Sequence, residues 1–352
     1  MKINKKANAE VKPDPRAPAT KVTLAMVASA CGVSSSTVSR ILNGTAVVSP
    51  KKREAVDRAI AALGFTPNPV ARGLAGGRTL SVGVVTQAID SPFYGPALRG
   101  IEEELGNAGY SPLFVSGHWN SEEEQRCIDV LLSRRVDGLI ILTGRLSDTA
   151  LRNTAKSVPV VVTGRRLEAP GLYSLDFNNF QGAQLATHHL LSLGHRSIAF
   201  ISGDPAHPDA HERLNGYRSA LKAAGVPFNP ALVLPGDYRE HSGIEAVERL
   251  LDSRERFTAI FAANDQMAFG AALALYRRGL RVPDDVSLVG FDDLAAAVHS
   301  IPPLTSVHQG PSELGQLAAT SLLNLLSGRV PTERLPEPRM VIRSSTRALP
   351  GP

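Results

Sequence analysis

From residue 80 onward, short apolar runs alternate with helical patterns, and this alternation constrains the fold more than any other feature of the chain. The pattern predicts strands at 80–86, 111–116, 136–142, 158–163, 172–177, 198–203, 232–234, 259–262, 286–291 and 340–343. It predicts one helix that follows the first strand and ends at about residue 108, and further helices at 122–133, 180–193, 211–224, 241–251, 267–278 and 312–326. Such alternation is typical of a parallel sheet covered on both faces by helices. Two such series predict an α/β core of two doubly wound parallel-sheet lobes, with a ligand cleft at the carboxyl ends of the strands.

The stretch 23–44 has a different texture and reads as two short helices joined by a tight turn. Thr23 and Ser34 are good N-cap residues, one before each helix. Gly32 tolerates the left-handed conformation that a sharp turn requires. A third helix is expected to begin at Ser49, as N-cap, and to end at Gly64. The stretch is therefore predicted to be an all-α helix-turn-helix headpiece, although any αα-hairpin with a glycine turn would share these signals.

The outer face of the second helix suits the major groove of DNA. It has hydrogen-bonding groups and one guanidinium but no acidic side chain, and consists of Ser35, Ser36, Thr37, Ser39 and Arg40. Its first turn can reach base edges while the flanking hydroxyls and Arg40 contact phosphates.

The charge distribution favours the same partner. Residues 1–78 contain 13 Lys or Arg and 4 Asp or Glu, a net charge of +9, whereas residues 79–352 contain 25 and 29, a net charge of −4. A basic head on an acidic body indicates a polyanionic partner for the head alone.

These patterns divide the chain into four segments. We expect a disordered tail at 1–20, the headpiece at 21–67, a hinge helix and linker at 68–78, and an α/β core at 79–349. Within the core, the first lobe is expected at about 79–176 plus 308–349 and the second at about 177–307.

Other function classes lack support in the sequence. The first residues have no apolar signal region and no run is long enough to span a membrane, so we expect a cytoplasmic, nucleoid-associated protein. Cys31 and Cys127 are expected to be packed thiols in a reducing compartment. The nucleotide-binding glycine motifs, the hydrolase serine motif and the metalloprotease histidine motif are all missing from the sequence, so neither a catalytic residue nor a cofactor is predicted. A crowded segment at His207, Asp209, His211 and Glu212 has metal-ligand residue types, but Pro205 and Pro208 favour a loop, and no metal site is predicted.

Over residues 22–345 the chain resembles the lactose/galactose repressor (LacI/GalR) family. The resemblance rests on V-T-L-x-x-V-A-x-x-x-G-V-S-x-x-T-V-S-R-I-L-N-G at 22–44, S-P-K-K-R-E-A-V-x-x-A-I-A-x-L-G-F-T-P-N at 49–68, A-R-G-L-A at 71–75, H-H-L-L-S-L-G-H-R-S-I-A-F-I-S-G at 188–203, and A-N-D-Q-M-A-F-G-A at 263–271 with V-P-D-D-V-S-L-V-G-F-D-D at 282–293 and P-P-L-T-S-V at 302–307. It implies a core like that of periplasmic binding proteins.

The resemblance also implies roles for individual residues in DNA binding. The recognition-helix positions match Ser34, Ser35, Ser36, Thr37, Ser39 and Arg40, and the phosphate-contact positions match Thr23 and Asn43. Ala71 and Leu74 match the hinge helix, in which the leucine wedges into the minor groove and kinks the duplex. The residues at the base-reading positions are short serines, which do not indicate a particular operator sequence.

In the core, Arg213, Asn264 and Asp292 match effector positions of the family. Their chemistry fits a polyol, because a guanidinium fork and a carboxylate can each bind two neighbouring hydroxyls. An apolar wall is expected from Phe93, Tyr94 and Trp119. Gly164 and Pro311 depart from residues found in some sugar-sensing members, so a particular sugar is not implied.

The sequence therefore predicts a repressor of carbohydrate-use genes that binds near-palindromic operator DNA as a homodimer and responds to a small sugar-like effector. A nucleobase or another metabolite remains an alternative effector. A sugar-binding protein without DNA function is a further alternative, but it would need a signal peptide and no basic headpiece.

Overall fold

The computed structural model describes residues 22–42, 48–65, 78–253 and 255–349. The chain forms two compact units, Met1–Thr79 and Leu80–Pro352. The predicted tail, the hinge helix and the candidate DNA contacts Asn43, Ala71 and Leu74 lie outside the described residues.

The described part of the first unit, residues 22–42, 48–65 and 78–79, contains three helices around a small apolar core. They are α1 (Leu24–Cys31), α2 (Ser35–Leu42) and α3 (Pro50–Leu63). Each helix contributes one fully buried valine to this core: Val27, Val38 and Val56. The amphipathic spacing seen in the sequence therefore produces three helices that each bury one face.

The helix ends agree with the predicted turn chemistry, with one exception. Thr23 accepts a hydrogen bond from the Met26 amide, and the Ser34 hydroxyl accepts one from the Thr37 amide at 3.2 Å. Gly32 ends α1 in the left-handed region with φ 67°. Ser49 is the N-cap residue before Pro50, as predicted, but its side chain makes no capping hydrogen bond.

The second unit is a pair of α/β lobes. Its first part comprises β1 (Ser81–Thr86), α4 (Tyr94–Asn107), β2 (Ser111–Ser116), α5 (Ser121–Ser133), β3 (Gly138–Ile141), α6 (Asp148–Ala155), β4 (Val160–Thr163) and β5 (Leu172–Leu175). There follow α7 (Asn179–Ser192), β6 (Ile198–Ile201), α8 (Pro208–Ala223), β7 (Val233–Leu234), α9 (Glu240–Asp252), β8 (Ala259–Ala262), α10 (Asp265–Arg277), β9 (Ser287–Asp292), β10 (Thr305–His308), α11 (Pro311–Leu326) and β11 (Arg339–Val341). Short 3₁₀ turns lie at Pro230–Leu232 and Ala295–Val298.

Each lobe is built on one twisted sheet. The first sheet has the order β2-β1-β3-β4-β5 and is parallel throughout. The second has the order β11-β10-β9-β8-β6-β7, with only the β10–β11 pair antiparallel. The central strands are buried along their whole length, as expected when helices cover both faces of a parallel sheet.

The lobe boundaries differ from the sequence expectation in the last forty residues. Helix α11 packs on α4 and on strands β3 to β5, so it belongs to the first lobe as predicted. Strand β11 instead pairs with β10, and Ser345 exchanges backbone and side-chain hydrogen bonds with Leu288 of β9. Residues 339–349 therefore complete the second lobe, because β10 offers them an open sheet edge, and the assignment of all of 308–349 to the first lobe was wrong.

Three segments connect the two lobes: 176–178, 309–310 and 327–338. No helix in the described part of the chain is long and apolar enough to span a bilayer.

Close helix packing in both lobes depends on glycines. A Cβ on Gly100 of α4 would lie 2.4 Å from the Ser312 carbonyl oxygen, and one on Gly315 of α11 would lie 2.0 Å from that of Ala97. Gly243 and Gly270 make the equivalent approach between α9 and α10. These helix backbones approach one another more closely than any side chain would permit.

We predict that Gly100→Ala destabilises the second unit by about 1–3 kcal/mol, the typical cost of overpacking. Gly106→Ala in the same helix is the matched control, because a Cβ there meets nothing within 4 Å. It should be neutral or stabilising by up to about 1 kcal/mol, since alanine favours helix. Urea unfolding of both variants, followed by fluorescence of Trp119, the chain's single tryptophan, measures the difference; equal midpoints would contradict the packing argument.

Candidate functional site

A cavity of about 640 Å³ lies between the two lobes of the second unit, at the carboxyl ends of their strands. All six effector residues predicted from the sequence line it: Phe93, Tyr94, Trp119, Arg213, Asn264 and Asp292. The volume lies within the range of ligand pockets for drug-sized molecules. The position at the carboxyl ends of the strands and the residue matches thus point to one place.

Arg213 on α8 is the best-connected side chain of the cavity. Its Nε donates to Asn179 Oδ1 at 2.9 Å and one Nη donates to Gln309 Oε1 at 3.2 Å. The other Nη donates to the carbonyl oxygen of Ala263, and the guanidinium stacks 3.8 Å from the Phe291 ring centroid. The fork is held from four directions and therefore has one orientation toward the cavity.

Asp292 ends β9 beside this guanidinium. Its Oδ1 lies 3.8 Å from Arg213 Nη1, and its backbone has a φ of 109°, a region that L residues rarely adopt. Burial raises the pKa of the Asp292 carboxyl well above its ordinary value, and the Arg213 charge only partly offsets this effect. The neighbouring protein groups therefore leave the Asp292 carboxyl able to form further hydrogen bonds, as an acceptor or, when protonated, as a donor.

Asn264 lines the cavity, but its amide is already occupied. Its Oδ1 accepts from the Met267 amide and caps α10, while its Nδ2 donates to the Tyr238 carbonyl oxygen at 2.9 Å. These bonds join the start of α10 to the loop before α9. Asn264 is therefore a scaffold of the site in this arrangement, which the sequence match alone did not reveal.

The predicted apolar wall is part of a longer run of rings. Phe93 and Tyr94 meet edge to face at 5.3 Å, and Tyr94 lies 6.3 Å from Trp119. Trp119 stacks on His207 at 3.9 Å, and His207 lies nearly parallel to Tyr238 at 5.5 Å.

Sequence reasoning missed several cavity residues. Asn179, Gln309 and Tyr238 carried no motif, whereas His207 and Asp209 were considered only as metal-ligand types. Their positions directly after strands or at helix starts were the available signal. The loop predicted around Pro208 was also wrong, because proline at a first helical position starts α8 there. The described residues contain no group of three His, Cys, Asp or Glu that could hold a metal ion.

Acidic groups outnumber basic ones in the cavity lining. The described lining includes the carboxyls of Asp90, Asp209, Asp237, Glu240 and Asp292, against the guanidinium groups of Arg213 and Arg239. Burial raises the pKa of the Asp209 carboxyl, as it does for Asp292. The site therefore offers a hydrogen-bonding surface with an excess of negative or protonated carboxyl groups.

The second candidate surface is the outer face of α2 in the first unit. Thr23, Ser34, Ser35, Ser36 and Arg40 are exposed, and Thr37 and Ser39 are half-buried. Ser34 Oγ lies 2.8 Å from Ser36 Oγ and 2.9 Å from Thr37 Oγ1, so these hydroxyls form one network at the start of the helix. The arrangement leaves a polar face that can exchange these bonds for bonds to DNA.

Both cysteines are free and half-buried. The Cys31 thiol donates to the Val27 carbonyl oxygen and the Cys127 thiol to that of Ser116.

Each of the two units contains a segment that matches a known protein family. Residues 23–68 match the family description "Bacterial regulatory proteins, lacI family", and residues 187–346 match "Periplasmic binding protein-like domain". The chain is 34% identical to the HTH-type transcriptional repressor PurR of Haemophilus influenzae (strain PittEE), covering 93% of this chain and 99% of that protein. It is 38% identical to the HTH-type transcriptional regulator CelR of Thermobifida fusca, covering 92% and 98%.

Solved structures agree with these relatives. The lac repressor dimer bound to operator and the anti-inducer ONPF matches with a TM-score of 0.84 and 33% identity, over 94% of this chain and 100% of that one. A CelR–cellobiose complex matches with a TM-score of 0.68 and 36% identity, over 92% and 99%. The fold prediction is confirmed.

We predict that Asn264→Ala destabilises the second unit by about 0.5–2 kcal/mol, because α10 loses its N-cap. Asn264→Ser should retain most of that stability, since serine caps about as well as asparagine. Urea unfolding followed by Trp119 emission distinguishes the two. An alanine variant as stable as the wild type would show that the cap contributes nothing.

Proposed function

The chain belongs to the LacI family of bacterial regulatory proteins, and from that membership we propose that it represses genes of carbohydrate use under the control of an uncharged sugar bound in the cavity. Its relatives are DNA-binding transcriptional regulators with a ligand-binding domain, and the chain is a regulator of that kind, not an enzyme.

The observation that carries the sugar proposal is the arrangement of Arg213 and Asp292. A fixed guanidinium donates and a carboxyl group accepts, so vicinal hydroxyls could bind to both at once. Aromatic rings of the wall supply an apolar surface for the C–H face of a sugar ring. A transcriptional regulator CelR that is 36% identical to this chain has been solved as a complex with cellobiose.

The charge balance of the lining supports an uncharged ligand. A phosphorylated sugar would bring two negative charges near five carboxyl groups, opposed by only the two guanidinium groups of Arg213 and Arg239 in the described lining. Desolvating an anion there would cost more than these two groups return.

A nucleobase is the second candidate, favoured by the stacked rings at Trp119 and His207 and by the similarity to PurR. A thermal-shift screen of the full chain against neutral mono- and disaccharides, sugar phosphates and nucleobases decides between them. A ligand at 100 times its Kd stabilises the folded state by about 2.7 kcal/mol. A response confined to nucleobases or sugar phosphates would overturn the sugar assignment.

On the DNA side, we propose that α2 enters the major groove and that Asn43, Ala71 and Leu74 add backbone and minor-groove contacts. Two copies of the chain would read the two half-sites of a near-palindromic operator at the nucleoid in the cytoplasm, as a homodimer. The lac repressor is seen as a dimer on its operator. Effector binding would change the lobe arrangement and thereby the DNA affinity.

We predict that DNA affinity falls by orders of magnitude between about 50 and 200 mM salt, because phosphate contacts release counterions. With an operator selected from random duplexes, Arg40→Gln should weaken binding and reduce the salt slope by about 1 for each Arg40 in the complex.

The matched control is Arg329→Gln, which removes an exposed arginine from the second unit. It should leave both affinity and slope unchanged. A salt-independent affinity, or an equal effect of the two substitutions, would refute the assignment of DNA binding to the basic headpiece.

We also predict that Arg213→Ala and Asp292→Ala abolish the effector response and preserve operator binding. Loss of a charged hydrogen bond costs about 1.5–3 kcal/mol, or about 10- to 150-fold in effector affinity. Operator binding is titrated with the saccharide identified in the screen.

Arg218→Ala is the control, because this exposed arginine lies on the same helix and stacks on Phe228 away from the cavity. Conservative variants Arg213→Lys and Asp292→Asn guard against misfolding. Unchanged midpoints in all of them would remove both residues from the effector site.

A further inference from the structure

In the part of the chain that the structure describes, two side-chain contacts join the opposite lobes across the cleft, away from their connections. Trp119, in the loop after β2 of the first lobe, stacks on His207 of the second lobe with ring centroids 3.9 Å apart and planes 27° apart. Arg145 of the first lobe forms an ion pair with Asp204 of the second, with Nη2 and Oδ2 2.9 Å apart.

Hydrogen bonds hold the loop that carries Trp119 and the turn that carries Asp204 and His207. On the first lobe, the Trp119 amide donates to Gln87 Oε1 at 2.8 Å, and the Gln87 amide group donates to the Thr143 carbonyl oxygen. The Trp119 backbone is in the left-handed region with φ 56°. Because these hydrogen bonds tie the Trp119 backbone to its lobe, the indole ring is expected to move with that lobe.

On the second lobe, Asp204 organises a tight turn. Its carbonyl oxygen accepts from the His207 amide at 2.9 Å, and its Oδ1 accepts from the Ala206 amide at 2.8 Å. The ion pair and the ring stack are therefore coupled through four residues of one turn. Movement of Asp204 moves His207.

The His207 ring is enclosed by two other rings. Trp119 covers one of its faces, and Tyr238 of its own lobe lies nearly parallel to it at 5.5 Å. Within the described residues, the buried Nε2 has no hydrogen-bond partner and lies 3.8 Å from Asp204 Oδ2. The ring is held by stacking rather than by hydrogen bonds of its side chain.

These contacts are separate from the segments that join the lobes. The connections run through 176–178, 309–310 and 327–338, and hinge movements concentrate in such connections. None of Trp119, Arg145, Asp204 and His207 lies on them. A rotation of the lobes about the connections would separate the Trp119–His207 stack and the Arg145–Asp204 pair together.

We propose that Trp119, His207, Arg145 and Asp204 form a latch that holds the lobes in the closed arrangement, and that protonation of His207 releases it. The proposal depends on the proposed function only for its consequence, namely that the latch sets how easily an effector changes the lobe arrangement. The latch itself is a property of the chain without ligand or DNA.

The proton dependence follows from the groups that face His207. Burial lowers the pKa of the His207 imidazole, and the Arg145 and Arg213 charges lower it further, while Asp204 raises it. The Trp119 and Tyr238 rings next to the imidazole carry no charge at neutral pH. When the lobes separate, the imidazole regains water and its ordinary pKa of about 6.5. The open arrangement therefore binds protons more readily, and the closed one is weakened as the pH falls below that value.

Trp119 is the only tryptophan in the chain, so its exposure to a neutral quencher reports on the latch directly. In the full chain at pH 7.5, acrylamide should quench Arg145→Gln and Asp204→Asn at least about twofold more efficiently than the wild type. Asparagine at 204 retains the acceptor for the Ala206 amide, so the turn itself should persist.

The control is Arg278→Gln, which breaks a similar exposed ion pair with Asp252 inside one lobe. It should leave the quenching constant unchanged. Wild-type quenching in both latch variants, or an equal rise in the control, would overturn the latch.

A pH series tests the role of His207. Acrylamide quenching of the wild type should rise between pH 7.5 and 5.5, whereas His207→Phe, which preserves a stacking ring without a titrating nitrogen, should stay shielded. A rise of equal size in His207→Phe would refute the proton switch. Because neither readout involves DNA or effector, failure here is distinguishable from failure of the proposed function.

Discussion

The buried guanidinium of Arg213 is the interaction around which the second unit is arranged. Its partners are Asn179 at the start of α7, the end of β8 at Ala263, and Gln309 in a connection between lobes. A buried cation without such partners would cost several kcal/mol, so each partner must keep its place for the charge to be tolerated. The same network that satisfies the charge brings strand ends and a connecting segment together around the cavity.

Much of this organisation could be predicted from the sequence because it follows from periodicity. Fully buried strands such as β8 produce apolar runs, and glycines such as Gly32 mark turns that only a left-handed residue makes easily. Strand β10 was missed because its buried positions are polar: Thr305 and Ser306 are fully buried and hydrogen-bonded rather than apolar. Helix α6 was missed because Leu151 is its one large apolar residue, so its eight residues show no apolar period.

The sequence predicted several residues that line the cavity, but not which contacts each of them makes. Residue matches named Asn264, and the structure shows both ends of its amide engaged by backbone groups. His207 could not be recognised as an aromatic partner, because its contact with Trp119 joins positions 88 residues apart, on opposite lobes. Long-range pairs of this kind leave no local pattern in one sequence.

The chain returns to the second sheet at β11, and this affects how the protein folds while it is being translated. Helix α11 at Pro311–Leu326 completes the first lobe, and residues 339–349 add the edge strand and its hydrogen bonds to the second. During translation, therefore, the first lobe cannot bury its last face until α11 has left the ribosome, nor the second until residues 339–349 have done so. Both would stay incomplete with apolar surface exposed, the condition in which nascent chains aggregate or recruit chaperones. When residues only up to about 338 have emerged from the ribosome, α11 can complete the first lobe while the second still lacks its edge strand.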